Sequence, residues 1–323
     1  MFHFDRGLKL TRADLAVDFR RRQPRGFISH AHRDHMARHE LALCTPHTAR
    51  LYEARMGRRP VLEMPYRQTL EWGGLRLTTY PAGHCLGSAM LLADDGNQTL
   101  LYTGDFKLSE SATAERAELP RADILVIEST YGTPAHRHIP RDRAIDQLLS
   151  AVRDALARGK TPVIQAYALG KAQEVTAILS AAGIGVQQHP EIYEISQVYR
   201  QCGVDLGAFQ LYRGQAVEGL AIIVPPRRHA AADLGRVRQP VTFAVTGWAT
   251  SSPWRLGVDH AIALSDHADY DDLLSAVAQV APRVVYCTHG PESFVECLRD
   301  AGFRAYPLDT AAGHAGGPTR ENV

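Results

Sequence analysis

The chain has 323 residues, 45% hydrophobic and 22% charged, a balance that supports a large folded core and excludes disorder as the main state. Lys and Arg (36) nearly balance Asp and Glu (35), so a nucleic-acid partner would have to be held by a local basic patch and not by global charge. The apolar runs are strand-length, short of the roughly 20 residues of a membrane span, and the opening MFHFDRGLKLTRADLAVDF, broken by acids, does not read as a signal peptide. Five cysteines (Cys44, Cys85, Cys202, Cys287, Cys297) form an odd set without a Cys-x-x-Cys pair. That argues against a disulfide framework and a thiolate zinc site, and for a reducing, cytoplasmic setting with no membrane partner.

In chain order, LAVDF (15–19) and GFISH (26–30) read as short strands that end abruptly in polar residues. TLEWGGLRLTTYPAG alternates around Gly73-Gly74 as a hairpin does, and AMLLAD and TLLYTGDF flank Asp95-Gly96 as a second hairpin. ADILVIEST (122–130) is a buried strand with another polar end. Residues 141–158 place Ile145, Leu148, Leu149, Val152 and Leu156 at helical spacing. TPVIQAYALG then reads as a strand and GKAQEVTAILSAAG as a helix ending at Gly183, with strand–helix alternation to about residue 250. AIALS and RVVYCTH are later strands separated by a helix from Tyr270 to about Val280, and the tail AAGHAGGPTRENV reads as a flexible end. Strand ends that repeatedly turn polar imply one site on which they converge. The central α/β block reads as an insertion into the first fold.

Chemistry concentrates in Ser29-His30-Ala31-His32-Arg33-Asp34-His35. Three histidines and a carboxylate cannot all share one helix face, but in a loop after a strand they can point to two neighbouring positions. Imidazole and carboxylate together suit Zn²⁺, Mn²⁺ or Fe²⁺. His84 in a glycine-flanked turn, Asp105 at the end of LLYTGD and His289 at the end of VVYCTH are further candidates for the same shell. His39, His47, His136, His138, His189, His229, His260 and His314 lack companions at ligand spacing and read as surface or packing residues. Trp72, Trp248 and Trp254 read as core or rim, with Trp248 in a position after a strand that could face a cleft.

The ordered series Asp18, His30-x-His32-x-Asp34-His35, His84 and Asp105 resembles the metallo-β-lactamase superfamily. Glu128-Ser129-Thr130-Tyr131-Gly132, Ser265-Asp266-His267-Ala268-Asp269 and Thr288-His289-Gly290 resemble the additional motifs of its β-CASP nuclease branch, and Gly170-Lys171-Ala172-Gln173-Glu174 resembles a recurrent element of the inserted domain. The resemblance implies an α/β fold, a metallo-β-lactamase αββα sandwich with an inserted α/β β-CASP domain. The expected division is 1–132 for the first part of the metallo-β-lactamase domain, 133–255 for the insert and 256–323 for the second part. It also implies two divalent ions, Zn²⁺ or Mn²⁺. One would be bound by His30, His32 and His84, the other by Asp34, His35 and His289, with Asp105 bridging and Asp18 orienting a ligand histidine. Glu128 and His267 would sit beside the ions, His267 as a proton donor to the leaving oxygen.

Such ions supply a nucleophile at neutral pH and offset the charge of a phosphodiester. An insert roofing the site suits a chain-like polymer better than the small substrates of lactamases and thioesterases. Lys171 at a helix start, and Arg20, Arg21 and Arg22 with Arg25 in the loop before the metal cluster, are candidate phosphate contacts, as are Arg227 and Arg228. His289 resembles the RNA-cleaving members. Chain length and the AGHCLGSAM and SHAHRDH segments resemble bacterial exonucleases known as ligase-associated or as mRNA 3′-end processing factors. The expectation is a DNA exonuclease acting in repair alongside a DNA ligase and a helicase. An RNA-processing nuclease is the alternative, and a metal-free nucleic-acid-binding subunit a more distant one.

Overall fold

The computed structural model describes residues 1–226 and 237–309; Arg227, Arg228 and the glycine-rich tail lie outside the described residues. The first sixty residues make short strands because turns cut each apolar run. β1 (Phe2–Phe4), β2 (Leu8–Leu10), β3 (Leu15–Val17), β4 (Arg25–Phe27), β5 (Leu41–Cys44) and β6 (Val61–Glu63) form one sheet in sequence order. The LAVDF strand stops at Val17 because Asp18 takes φ 51°, leaves the strand and turns its carboxylate toward Ser29 and His35. GFISH likewise leaves its sheet after Phe27.

A second sheet begins with β7 (Thr69–Trp72), β8 (Leu75–Pro81), β9 (Ala89–Asp94), β10 (Thr99–Tyr102) and β11 (Ile124–Glu128). Both predicted hairpins form. Gly73 and Gly74, at φ 55° and 75°, supply the left-handed backbone that a two-residue turn requires. After the central block, β18 (Val284–Thr288) and β19 (Ala305–Pro307) complete this sheet in the order β19-β18-β11-β10-β9-β8-β7. In β10 the two-residue period sends Leu100 and Tyr102 to one face and Leu101 to the other. The first face meets Leu10, Leu15, Phe27 and Leu43 of the first sheet. The second packs on the helices Tyr270–Val280 and Glu292–Asp300, through Leu273, Val277, Phe294 and Leu298. Helix α1 (Pro46–Met56) covers the outer face of the first sheet through Leu51 and Tyr52. The layers are thus αββα, as the resemblance implies.

The inserted block is a wholly parallel sheet, which must bury both faces. Its strands are β12 (Thr161–Gln165), β13 (Val186–Gln188), β14 (Phe209–Leu211), β15 (Ala221–Val224), β16 (Pro240–Val245) and β17 (His260–Ile262), in the order β14-β13-β15-β12-β16-β17. The helices α2 (Arg141–Ala157) and α3 (Lys171–Ala181) cover one face through Leu148, Val152, Val175 and Leu179. The helix α4 (Pro190–Gln201) carries Ile195 and Tyr199 into the cluster around α1 and so joins the insert to the first sheet's outer layer. With these numbered, the helices Tyr270–Val280 and Glu292–Asp300 are α5 and α6. AIALS does not return to the first fold: its start pairs with β16, so the inserted sheet runs beyond residue 255, where the sequence reading ended it. No helix among the described residues is long and apolar enough to cross a membrane.

Candidate metal centre

The polar residues that follow β4, β8, β10, β11 and β18 meet at one edge of the two stacked sheets. Two glycines allow the approach. Gly104, at φ 55°, brings the loop before Asp105 so near the 28–35 loop that a Cβ there would lie 2.8 Å from Ser29 Cβ. A Cβ on Gly290 would lie 1.9 Å from the Ser129 carbonyl oxygen, so only glycine lets the end of β18 reach the end of β11.

His30 Nε2 and His84 Nε2 lie 3.0 and 3.1 Å from His32 Nδ1, and Asp105 Oδ2 is 3.5 Å from His30 Nε2. The outward nitrogens fix the tautomers. His32 Nε2 faces the Leu169 carbonyl at 3.0 Å and His84 Nδ1 the Asp266 carbonyl at 2.8 Å, so each of these nitrogens carries the proton. Ser29 Oγ donates to Asp18 Oδ2 (2.5 Å) and is left to accept from His30 Nδ1 at 2.9 Å. All three inward nitrogens therefore present lone pairs to one another and to a carboxylate oxygen. Burial pushes the His30, His84 and His32 pKa values down, the last to about 4, which keeps the rings neutral. Converging lone pairs around an anionic oxygen repel unless a cation lies among them, so this donor set fits a divalent ion.

A second group, His35, Asp105 and His289, shares Asp105 with the first. His35 donates Nδ1–H to Asp18 (2.8 Å) and aims Nε2 at Asp105 Oδ2, 3.3 Å away. Tyr102 Oη also donates to Asp18 at 2.8 Å, so this one buried carboxylate orients Ser29, His35 and Tyr102 together. Burial lowers the His35 pKa, but Asp105 and Asp18 outweigh it and hold the net value well above normal; a proton and a divalent ion compete for Nε2. Asp34 sits at the rim. Its Oδ2 is 3.9 Å from His35 Nε2 and equally far from Arg20 Nη2, with 57% of the side chain exposed, and it joins none of the ligand groups among the described residues.

Beside the centre, His267 Nδ1 bonds both oxygens of Glu128 at 3.0 and 2.9 Å. The buried Glu128 is itself fixed by the Phe106 N–H and the Thr130 hydroxyl. Burial would lower the His267 pKa, but Glu128 and Asp105 overcome it and raise it to about 10. A cavity of about 200 Å³ next to His267 is lined by Lys107, His138, Arg141, Asp269 and Asp272, among others.

Residues 253–310 match the family model described as the Zn-dependent metallo-hydrolase RNA specificity domain. A protein from Opitutus terrae named Probable DNA ligase is 34% identical over 311 residues, which cover 94% of this chain and 31% of that protein. Cleavage and polyadenylation specificity factor subunit 3 of Dictyostelium discoideum is 36% identical over 151 residues, 46% of this chain and 19% of that protein. These matches support the β-CASP branch of the metallo-β-lactamase superfamily, the one that the motifs resemble. Endoribonuclease YSH1 of Yarrowia lipolytica is a further relative, 37% identical over 136 residues, 42% of this chain and 16% of that protein. A solved protein of unknown function from Enterococcus faecalis has the same fold, with a TM-score of 0.57 over 87% of this chain and 78% of that one at 13% identity. The chain spans under a third of the length of these curated relatives.

Lys171, which the sequence suggests as a phosphate contact, faces inward. It is fully buried, and Nζ bonds Glu174 Oε2 at 2.9 Å. Lys107 from the loop after β10 (3.3 Å) and Arg141 from the start of α2 (2.9 Å) bond the same carboxylate, so Glu174 joins the insert to the second sheet. A lysine at a helix start looks identical in sequence whether it faces solvent or a buried acid. Arg20, Arg21 and Arg22 are exposed; Arg20 donates to the Asp34 carbonyl at 3.1 Å and Arg22 pairs with Glu40. The sequence reading missed Asp266, buried within reach of His84 and His267, though it lies inside a motif already singled out. It also missed Tyr102 and Leu169, whose contributions, a hydroxyl and a backbone carbonyl, carry no residue-type signal.

Proposed function

We propose that the chain is a metal-dependent nuclease that hydrolyses phosphodiester bonds, and that its substrate is DNA, degraded from an end during repair. The observation that carries this reading is the convergence of three inward imidazole lone pairs on Asp105. His30, His32 and His84 would hold one ion; His35 and His289, with Asp34 at the rim, the other; Asp105 would serve both. Zn²⁺ and Mn²⁺ both suit these donors. When bound, such ions lower the pKa of water and offset the charge of a phosphodiester. Asp18 keeps His35 oriented, and through Ser29 also His30. His267, held by Glu128, keeps a proton through neutral pH and passes it to the leaving oxygen. Arg20, Arg21 and Arg22, beside Asp34 on the rim, would meet the phosphates of the strand. We take the insert as 133–262, to the end of β17.

DNA is favoured because the match to a protein named Probable DNA ligase runs along 94% of this chain, whereas the matches to the Dictyostelium factor and the Yarrowia endoribonuclease cover less than half of it. The same match supports action beside a DNA ligase, and the family resemblance adds a helicase as a further proposed partner. RNA processing is the second reading, supported by the RNA specificity description of the model matched at 253–310. The deciding experiment incubates the protein with end-labelled single strands of DNA and RNA, with Zn²⁺ or Mn²⁺ in turn. The expected result is progressive shortening of DNA; cleavage of RNA alone would reassign the substrate, and cleavage of neither would remove the reading.

Two outcomes test His267. His267→Ala lowers kcat about 10²- to 10⁴-fold with metal content unchanged. Because its raised pKa means the proton is lost only as pH rises through about 10, Glu128→Gln, which removes the charge that holds the proton, moves the alkaline limb of kcat to lower pH. An unmoved limb takes the acid role away from His267.

A further inference from the structure

We infer that Tyr167 and Trp248 form a stacking platform for an unpaired nucleobase of the strand whose phosphate lies at the metal centre. The inference rests on the phosphodiesterase reading above and specifies the form of substrate taken, a strand with its bases unpaired.

Tyr167 (51%) and Trp248 (42%) are among the few large hydrophobic side chains left exposed. They follow the adjacent parallel strands β12 and β16, in which Gln165 pairs with Ala244. Both therefore stand at the carboxyl edge of the inserted sheet, where open α/β sheets bind ligands. That edge abuts the metal centre, since the Leu169 carbonyl that fixes His32 leaves it as well.

Trp248 is braced. Its ring meets Tyr131 at 4.9 Å and 62° and His136 at 5.2 Å and 89°, and Tyr131 stands 6.0 Å and 89° from His267. A chain of rings thus leads from the proton donor to the cleft wall. A Cβ on Gly247 would lie 2.5 Å from Tyr131 Oη, so the glycine lets the loop carrying Trp248 close onto that ring. Burial raises the Tyr167 hydroxyl pKa, and the charges of Asp266, beside His84 and His267, and of Asp34, beside His35, add to the rise. Trp254 is more exposed (74%) but has no aromatic contact among the described residues to hold its ring.

A braced, half-exposed ring beside a phosphodiester site offers a π-face to a base, and every base can use it. Paired bases within a duplex have both faces covered by their neighbours, so the platform selects single strands, frayed ends or flipped nucleotides. A protein partner would need a broad apolar patch, and two rings in a cleft lined by carboxylates and histidines do not provide one.

The test compares binding of a fluorescent, phosphorothioate-linked oligothymidylate with that of an abasic sugar–phosphate chain of equal length. Trp248→Ala is expected to weaken oligothymidylate binding about 5- to 100-fold, to leave the abasic chain unchanged, and to abolish most of the tryptophan quenching seen with the wild type. Trp248→Phe retains most of the affinity. Tyr167→Ala, at a more exposed position, carries the same expectation if Trp248→Ala proves unfolded. Equal binding of both chains by all variants overturns the platform and leaves the nuclease reading intact. Trp248-dependent binding by a wild type that cuts no strand does the reverse.

Discussion

Asp105→Ala is expected to abolish the proposed hydrolysis, with a loss of at least about 10³-fold, while the fold survives. The size of the effect follows from position. Asp105 Oδ2 faces His30, His35 and His84 at 3.5, 3.3 and 3.9 Å, so one carboxylate serves both ligand groups. Without it the inward lone pairs keep no anionic partner for a cation. The fold tolerates the change because the side chain lies at the layer edge, outside the apolar clusters between the sheets. The check is turnover alongside a thermal midpoint. Activity near wild type would refute the shared-ligand assignment.

Glu174→Ala lowers the unfolding free energy by about 3–5 kcal/mol, because it strands three buried or half-buried cations around one vacated position. Lys107, whose pKa burial already lowers to about 8 against the pull of Glu174, loses its ion-pair partner. Asp266, which Lys171 helps keep ionised, softens the loss for Lys171 alone. Burial would raise the Glu174 pKa, but Lys171 and Lys107 outweigh it and hold the carboxylate well below its usual range. Its contribution is therefore present above the ordinary carboxylate pKa of 4.5 and is lost as pH falls below it toward the depressed native value. Urea unfolding at neutral pH measures the effect. A midpoint within experimental error of wild type would mean that the cluster does not tie the insert to the second sheet.

The hairpins and the histidine-rich loop are legible because they depend on patterns a sequence displays directly, whereas the αββα layering follows only from the family resemblance. Alternation around Gly73-Gly74 specifies a hairpin, and the histidine spacing of 30–35 has no use on a helix or in a core. The length of β3 was not legible, since only the fold shows that Asp18 leaves the strand to hold Ser29 and His35. Lys171 was misread for a related reason: its partners Glu174, Lys107 and Arg141 come from three segments, and only one of them is near in sequence. AIALS is apolar enough to suit either sheet, and only register with β16 assigns its start to the inserted one. Trp248 reads as core or rim, in a position after a strand that could face a cleft. Its exposure and the Tyr131 contact that braces it depend on a distant loop, which residue type cannot reveal.

The central claim is that buried imidazoles and a shared aspartate hold divalent ions at one edge of the sandwich. Elemental analysis of the purified chain, stripped with chelator and reloaded with Zn²⁺ or Mn²⁺, tests it most directly. About two ions per chain are expected, fewer in His32→Ala and fewer still in Asp105→Ala. A reloaded, folded chain that retains neither metal would contradict it.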